Sequence, residues 1–401
     1  MSGEALSLPR GSVQRTGEGL RFDPALMGIV LSILLLGLVM VTSASISIAS
    51  QDGGNPFAYL ERQLLLVFGG LVLALLLSAL PTSFLERYST AMLAAAIALL
   101  VLVLVPGIGH VVNGSRRWIR LVGFNLQASE VARVLVLVWL ASYAVRRDKE
   151  LRSTLSGLLK PLAMLVLMCG LLLLEPDFGA ASVLFATGFG LLFLAGAQLR
   201  WVLASVVLAA SGFALLAVTS SYRLRRLTTF LDPWSDPYDS GFQLTQSLIA
   251  IGRGQWFGVG LGESVQKLFY LPEAHTDFLF AVLAEELGLA GVLLTLALFL
   301  ALVWRVFGIA RMAANAGLKF QSYLAAAFAL WVGIQAMINI GVNMGALPTK
   351  GLTLPLMSYG RSSMLVALAW LGIVMRVHHE ASVAIRGAAS PQRRRAAEVD
   401  E

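Results

Sequence analysis

The sequence predicts an all-α membrane protein of ten transmembrane helices, with a large extracytoplasmic loop between the seventh and the eighth. Three observations carry that expectation. Hydrophobic residues fill 57% of the 401 positions and charged residues only 13%, with a mean hydropathy of +0.78, a balance far from that of a soluble domain. Apolar stretches recur at the length a hydrocarbon core of about 30 Å demands, roughly 20 residues per helix. Lys and Arg concentrate in alternate loops, as they do where those loops stay in the cytoplasm.

The ten segments run at about 26–48, 63–80, 89–106, 129–145, 158–174, 179–198, 201–220, 279–304, 322–345 and 357–376. The fifth and sixth are parted only by the turn Glu175-Pro-Asp177. With the N-terminus inside, the loop carrying Arg146, Arg147, Lys149 and Arg152 is cytoplasmic, and so are both termini. Residues 1–25 and 379–401 read as disordered cytoplasmic tails around a membrane domain at 26–378. The first apolar stretch is too long for the core of a cleaved signal peptide.

Several function classes drop out. The net charge of +7 comes largely from cytoplasmic loops and from Arg393, Arg394 and Arg395, which suit anionic lipid and do not call for nucleic acid. The single Cys169 lies inside an apolar span and cannot form an intrachain disulfide. His110, His275, His378 and His379 have no zinc-type spacing, and no Walker motif implies a bound nucleotide.

Chemistry concentrates in two extracytoplasmic loops, at about 107–128 and 221–276. In the first, Arg116 and Arg117 precede Trp118. Guanidinium forks suit a lipid-linked phosphate and an indole suits the headgroup level, although a plain interfacial anchor has the same composition. Glu130 and Arg133 stand one turn apart on the fourth span, so they are expected to pair toward the bundle interior. In the second loop, Phe242 to Gly252 reads as a re-entrant or interfacial helix. Gly252, Gly254, Gly258, Gly260 and Gly262 follow, either for close backbone approach or as a hinge.

That loop ends in Leu271-Pro-Glu-Ala-His275-Thr-Asp277 and enters an apolar helix. A carboxylate at this boundary loses hydration, which raises its pKa and marks it for chemistry. Capping of the helix by Asp277 or Thr276 is the alternative. Glu285 and Glu286 lie about 80° and 180° round a straight helix from Asp277 and about 12 Å along it, so they do not form a hydrolase pair with it.

The stretches Asn113-Gly-Ser-Arg-Arg-Trp118, Gln127-Ala-Ser-Glu130, Glu175-Pro-Asp177, Phe242-Gln243 to Gly262, Leu271 to Asp277, Glu285-Glu-Leu-Gly288 and Ser358-Tyr-Gly-Arg-Ser-Ser363 resemble, in this order, the SEDS family (shape, elongation, division, sporulation). Lys267 to His275 and Leu347-Pro-Thr-Lys350 to Pro355 are similar to its division type, not its elongation type. The resemblance implies a glycosyltransferase that polymerises lipid II into peptidoglycan at the septum of the bacterial inner membrane. It implies Asp277 as the catalytic base, with Arg116, Arg117, Glu130, Arg133, His275, Lys350 and Ser358 at the substrate. A divalent cation, Mg or Mn, would be held by Asp277 and phosphate oxygens. The implied partners are a class B penicillin-binding transpeptidase and other divisome membrane proteins.

Gly288, Gly291, Ala325, Ala326 and Ala327 on the eighth and ninth spans are the expected docking face, since small residues let a foreign helix come close. Four positions depart from the family pattern: Ala128 replaces Pro, Arg133 replaces Lys, Glu175 replaces Gln and Arg361 replaces Gly. A lipid II flippase, an elongation-type polymerase and a division scaffold remain alternatives.

Overall fold

The computed structural model of the chain describes residues 20–51, 54–112, 115–121, 124–218, 230–239 and 241–397. Asn113, the basic run Arg223 to Arg226 and the outermost parts of both expected tails lie outside the described residues.

Each of the ten expected segments coincides with a helix. They are α1 (Pro24–Gln51), α2 (Ala58–Ala79), α4 (Ser89–Leu104), α5 (Ala128–Arg146), α7 (Leu155–Leu174), α8 (Phe178–Leu194), α9 (Leu199–Val218), α11 (Leu279–Asn315), α12 (Lys319–Asn343) and α13 (Arg361–Ala397). Two short helices, α3 (Thr82–Arg87) and α6 (Asp148–Ser153), and the loop helix α10 (Phe242–Gly254) lie between them. Among the described residues, seven of the long helices are long and apolar enough to cross a bilayer, and α4 and α8 are shorter apolar helices. The chain is a multi-pass membrane protein.

Two features differ from the expected layout. The first long loop carries an antiparallel three-stranded sheet of β1 (Gly109–Val112), β2 (Ser115–Leu121) and β3 (Phe124–Gln127), in that order. The final helix continues through Ala397, so the boundary expected at residue 378 falls inside a helix.

Burial separates a centre from a rim. In the most apolar stretch of α5, 78% of residues are buried, against 28% in α2. Leu65, Phe68 and Leu76 of α2, and Leu300 of α11, stay exposed, the pattern of helices with a lipid-facing side. α2 crosses α13 closely because Gly372 lies against the backbone of Ala74. The small residues expected to receive a partner helix are buried within the chain's own bundle: Gly288, Gly291, Ala325, Ala326 and Ala327 all face inward. Those five residues therefore offer no contact to a foreign helix, although Leu293, Leu300 and Met337 of the same two helices stay exposed.

The bundle has two polar ends of different make-up. At one, Arg305 pairs with Asp23 at 2.6 Å and Lys319 with Asp148 at 3.0 Å. There the Arg21 amide also donates to His379, so the described parts of the two termini meet. The opposite end gathers the sheet, the 175–177 turn, the 273–278 turn and the 350–363 segment.

α11 is broken at Gly288, where φ is +62°. Backbone from residues 255–260 fills the break: Leu289 donates to Gln255, Ala290 to Trp256, Val259 to Glu285 and Gly260 to Glu286. Such pairing supplies the amides and carbonyls that a broken helix would otherwise leave bare in an apolar setting. Glycine is required on both sides. A Cβ on Gly254 would lie 1.9 Å from the Ala284 carbonyl oxygen, and one on Gly258 would lie 2.0 Å from that of Glu286. Lys267 pairs with Glu286 at 2.8 Å, Arg253 with Glu285 at 3.2 Å, and Ser43 of α1 donates to Glu286. The spaced glycines therefore differ in role: Gly254 and Gly258 are close contacts, whereas a Cβ on Gly252 would meet nothing within 4 Å beyond its own helix.

Gly258 sits at φ +81°, so Gly258→Ala combines left-handed strain of about 1–2 kcal/mol with backbone overlap. It should sharply lower the melting temperature in detergent. Gly252→Ala, inside α10, should be neutral or stabilising by up to about 1 kcal/mol. Equal melting temperatures for the two variants would contradict the inserted-loop geometry.

Candidate active site

The polar end opposite the termini encloses a cavity of about 410 Å³ lined by Arg117, Glu130, Asp177, Glu273, Asp277, Tyr359, Arg361 and neighbouring residues. Asp277 opens onto it from the turn before α11. The helix starts after Phe278, and no side chain from its own start caps it. The capping alternative is thus not realised, and the Thr276 hydroxyl donates instead to Glu273 at 2.6 Å. Burial, reinforced by the charges of Glu273 and Asp177 and partly offset by Arg117, pushes the Asp277 carboxyl up to about 7.

The backbone around Asp277 is held on several sides. Its carbonyl accepts from Asn339 at 2.8 Å and from Asn343 at 3.0 Å, both on α12. The His275 carbonyl accepts from the Tyr359 amide at 3.0 Å.

Strand alternation decides which arginine reaches the cavity. Successive β2 side chains point to opposite faces. Arg117 lines the cavity, while Arg116 turns back to donate to the Leu104 carbonyl at 3.2 Å. Arg117 stands 3.9 Å from Asp177. Asp177 also accepts from Gln127 and Ser129, each at 3.1 Å, and caps α8 by accepting from the Ala180 amide at 3.0 Å. It thereby ties β3, α5 and α8 together at the cavity wall.

Glu130 and Arg133 form the expected ion pair, at 2.7 Å, with Arg133 only 1% exposed. Arg133 also donates to Gln335 and lies over the Trp331 ring, 5.1 Å from its centroid. It sits behind the cavity and braces Glu130, which lines it.

The other expected residues lie near the site without lining it. Lys350 donates to Ser182 at 3.2 Å over the Phe178 ring, and burial lowers its pKa. His275 packs edge-on against Tyr59, its pKa lowered by burial. The Ser358 hydroxyl accepts from the Leu354 amide at 3.0 Å. Sequence reasoning missed Glu273, Tyr359 and the two α12 asparagines. Their signal was present: Gln335, Asn339 and Asn343 recur every fourth residue in an apolar helix.

The family model for FtsW, RodA and SpoVE, described as cell cycle protein, matches residues 24–383. The chain belongs to the FtsW/RodA/SpoVE family. A probable peptidoglycan glycosyltransferase FtsW of Thioalkalivibrio sulfidiphilus is 56% identical over 361 residues, 90% of each chain. The corresponding protein of Coxiella burnetii is 51% identical over 359 residues, 90% of this chain and 96% of that one. Among solved structures, a peptidoglycan synthase complex that coordinates polymerization and crosslinking contains a chain 32% identical to this one. Its TM-score is 0.74, with 90% of this chain and 99% of that chain covered. The crystal structure of the rod shape determining protein RodA of Thermus thermophilus is 31% identical, with a TM-score of 0.67 and coverage of 90% and 97%.

Two departures from the FtsW/RodA/SpoVE pattern acquire a location. Arg361, at the start of α13, lines the cavity with its Nε 3.4 Å from the Tyr359 hydroxyl, so it adds a cation to the site instead of crowding backbone. Glu175 is fully buried and neither carboxyl oxygen has a hydrogen-bond partner. Burial, with the charge of Asp177 and against that of Arg117, pushes it up to about 8.

Both raised carboxyls are neutral below their pKa and ionised above it. Infrared difference spectra should therefore show Asp277 losing its proton around pH 7 and Glu175 near pH 8. Glu175→Gln should remove only the higher step. A single carboxyl step near pH 4 would contradict the burial of both groups.

Proposed function

We propose that this chain is a division-type peptidoglycan glycosyltransferase that polymerises lipid II, with Asp277 as general base. The observation that carries this reading is the cavity itself. Asp277 faces it with Glu130, Asp177 and Glu273, at the end of the bundle that holds the long loops, together with the two cations Arg117 and Arg361. The division type is favoured by relatives named FtsW at 51–56% identity against 31% for RodA.

Glycosyl transfer forms a bond from an acceptor hydroxyl oxygen to the donor's anomeric carbon and breaks the bond from that carbon to the lipid diphosphate. Asp277, ionised above about pH 7, takes the hydroxyl proton as the new bond forms. Arg117 and Arg361 receive the growing negative charge on the departing diphosphate, where guanidinium geometry suits phosphate. Glu130, braced by Arg133, has one carboxyl oxygen without a hydrogen-bond partner and can accept from a sugar hydroxyl or amide. Arg116, His275, Lys350 and Ser358 serve the substrate through the loops they hold in place.

A divalent cation fits the donor set in one form only. Among the described residues no group of three or more His, Cys, Asp or Glu side chains is placed to hold a metal. Asp277 nonetheless lies in the field of two further carboxylates. Magnesium or manganese would be held by Asp277 and substrate phosphate oxygens, and would supply neutralising charge to the diphosphate.

In this reading all ten long helices cross the inner membrane at the septum, with both termini cytoplasmic. The partner is a crosslinking transpeptidase, a class B penicillin-binding protein, within the wider set of division membrane proteins. Support comes from the fold shared with a complex that joins polymerization to crosslinking.

Purified protein supplied with lipid II and magnesium, alone and with the transpeptidase, should yield glycan chains on gel analysis, and Asp277→Ala should yield none. Lipid II transport into vesicles without polymer from any preparation would establish the flippase reading instead.

A further inference from the structure

The polar face of α12 carries more than it needs to satisfy itself. Gln335, Asn339 and Asn343 are each at most 2% exposed and, at a spacing of four, share one face. Their amides reach two separate segments that both line the cavity. Asn339 Nδ2 donates to the carbonyl of Asp277 at 2.8 Å and to that of Leu352 at 2.5 Å. Gln335 donates to the Thr353 carbonyl at 3.0 Å. Asn343 does something further. Its Nδ2 donates to the Asp277 carbonyl at 3.0 Å while its Oδ1 accepts from the Ala281 amide at 3.2 Å.

In a continuous α-helix the carbonyl of residue 277 and the amide of residue 281 would bond to each other. The Asn343 side chain stands between them and bonds both, while the Ala281 amide also donates to the Phe278 carbonyl at 3.0 Å in a tighter first turn. Asp277 is thereby kept outside α11, and its carboxylate projects into the cavity instead of lying on a helix surface.

We propose that Asn339 and Asn343 are positioning residues: Asn343 wedges Asp277 out of α11, and Asn339 ties the Asp277 turn to the 351–353 wall at the separation glycosyl transfer requires. The proposal deepens the assignment of Asp277 as base and rests on it. Without the wedge, the 277–281 bond closes, the helix start shifts toward Asp277 and the carboxylate rotates away from the acceptor. Substrate is still bound, because Arg117 and Arg361 are untouched, so the loss falls on turnover.

The test uses full-length Asn339→Ala, Asn343→Ala and the double variant, purified as monodisperse protein and assayed with lipid II. Ser247→Ala is the control, because it removes a buried hydrogen bond to the Asn343 backbone without touching either wall. The double variant should lose at least about tenfold in kcat, as expected for a displaced catalytic group, with KM changed less than about twofold. Hydrogen exchange should rise together in 277–280 and 350–354. Ser247→Ala should keep its kcat at a comparable loss of melting temperature. Should the double variant fail to fold, Asn339→Ser is read in the same way. Unchanged kcat, a loss confined to KM, or an equal loss in Ser247→Ala would overturn the proposal. Asp277→Ala, assayed in parallel, separates the two failures: activity there removes the base assignment, whereas an inactive Asp277→Ala beside a fully active asparagine variant removes only the positioning role.

Discussion

A polar group inside an apolar bundle must find a partner within the protein, because neither lipid nor bulk water will supply one. Much of this structure follows from that constraint. Breaking α11 at Gly288 exposes backbone amides and carbonyls, and the 255–260 loop satisfies them. Ending the same helix short of Asp277 leaves further groups bare, and α12 satisfies those with two asparagines. Burying Arg133 demands a carboxylate, an amide oxygen and an aromatic face, which Glu130, Gln335 and Trp331 provide. Each solution fixes a segment that carries cavity residues, so satisfying the backbone and building the site are one operation.

The cavity joins groups of opposite sign that come from distant parts of the chain. Arg117 arrives on a strand, Asp177 on an interhelical turn, Asp277 on a loop and Arg361 at a helix start. Such a mixture suits a reaction that must both remove a proton and receive a departing diphosphate. Burial, helped by the neighbouring carboxylates and opposed by Arg117, raises the pKa of Asp277, which leaves the acid poised near neutrality, where a general base is most effective. Arg361 extends the positive side beyond the family pattern without disturbing the packing.

How much of this was legible in the sequence depended on whether a residue's direction follows from spacing alone. The ten helical segments were legible, because apolar length against a polar background is a strong signal. The Glu130–Arg133 pair was legible because residues three apart on a helix are neighbours. Arg116 and Arg117 looked equivalent while their segment read as an irregular loop, and only the strand pairing shows that they point apart. Lys350 and Ser358 stand beside cavity residues in the chain but turn away from the cavity, which motif resemblance cannot reveal. The small residues of α11 and α12 matched a docking face in composition, yet close packing within the bundle has the same composition. The amides of α12 were visible as a four-residue period, but their partners are backbone carbonyls, which leave no trace in the sequence.

The central claim is that the carboxylate of Asp277 performs the proton transfer. The most direct measurement is the single-turnover rate of purified Asp277→Asn with lipid II, compared with wild type at matched binding. Asn is nearly isosteric, keeps the backbone carbonyl that α12 holds and leaves the cations in place, so folding and binding should persist. The account predicts a rate lower by about a hundredfold or more, the size of effect general-base catalysis supplies. A rate close to that of wild type would contradict it.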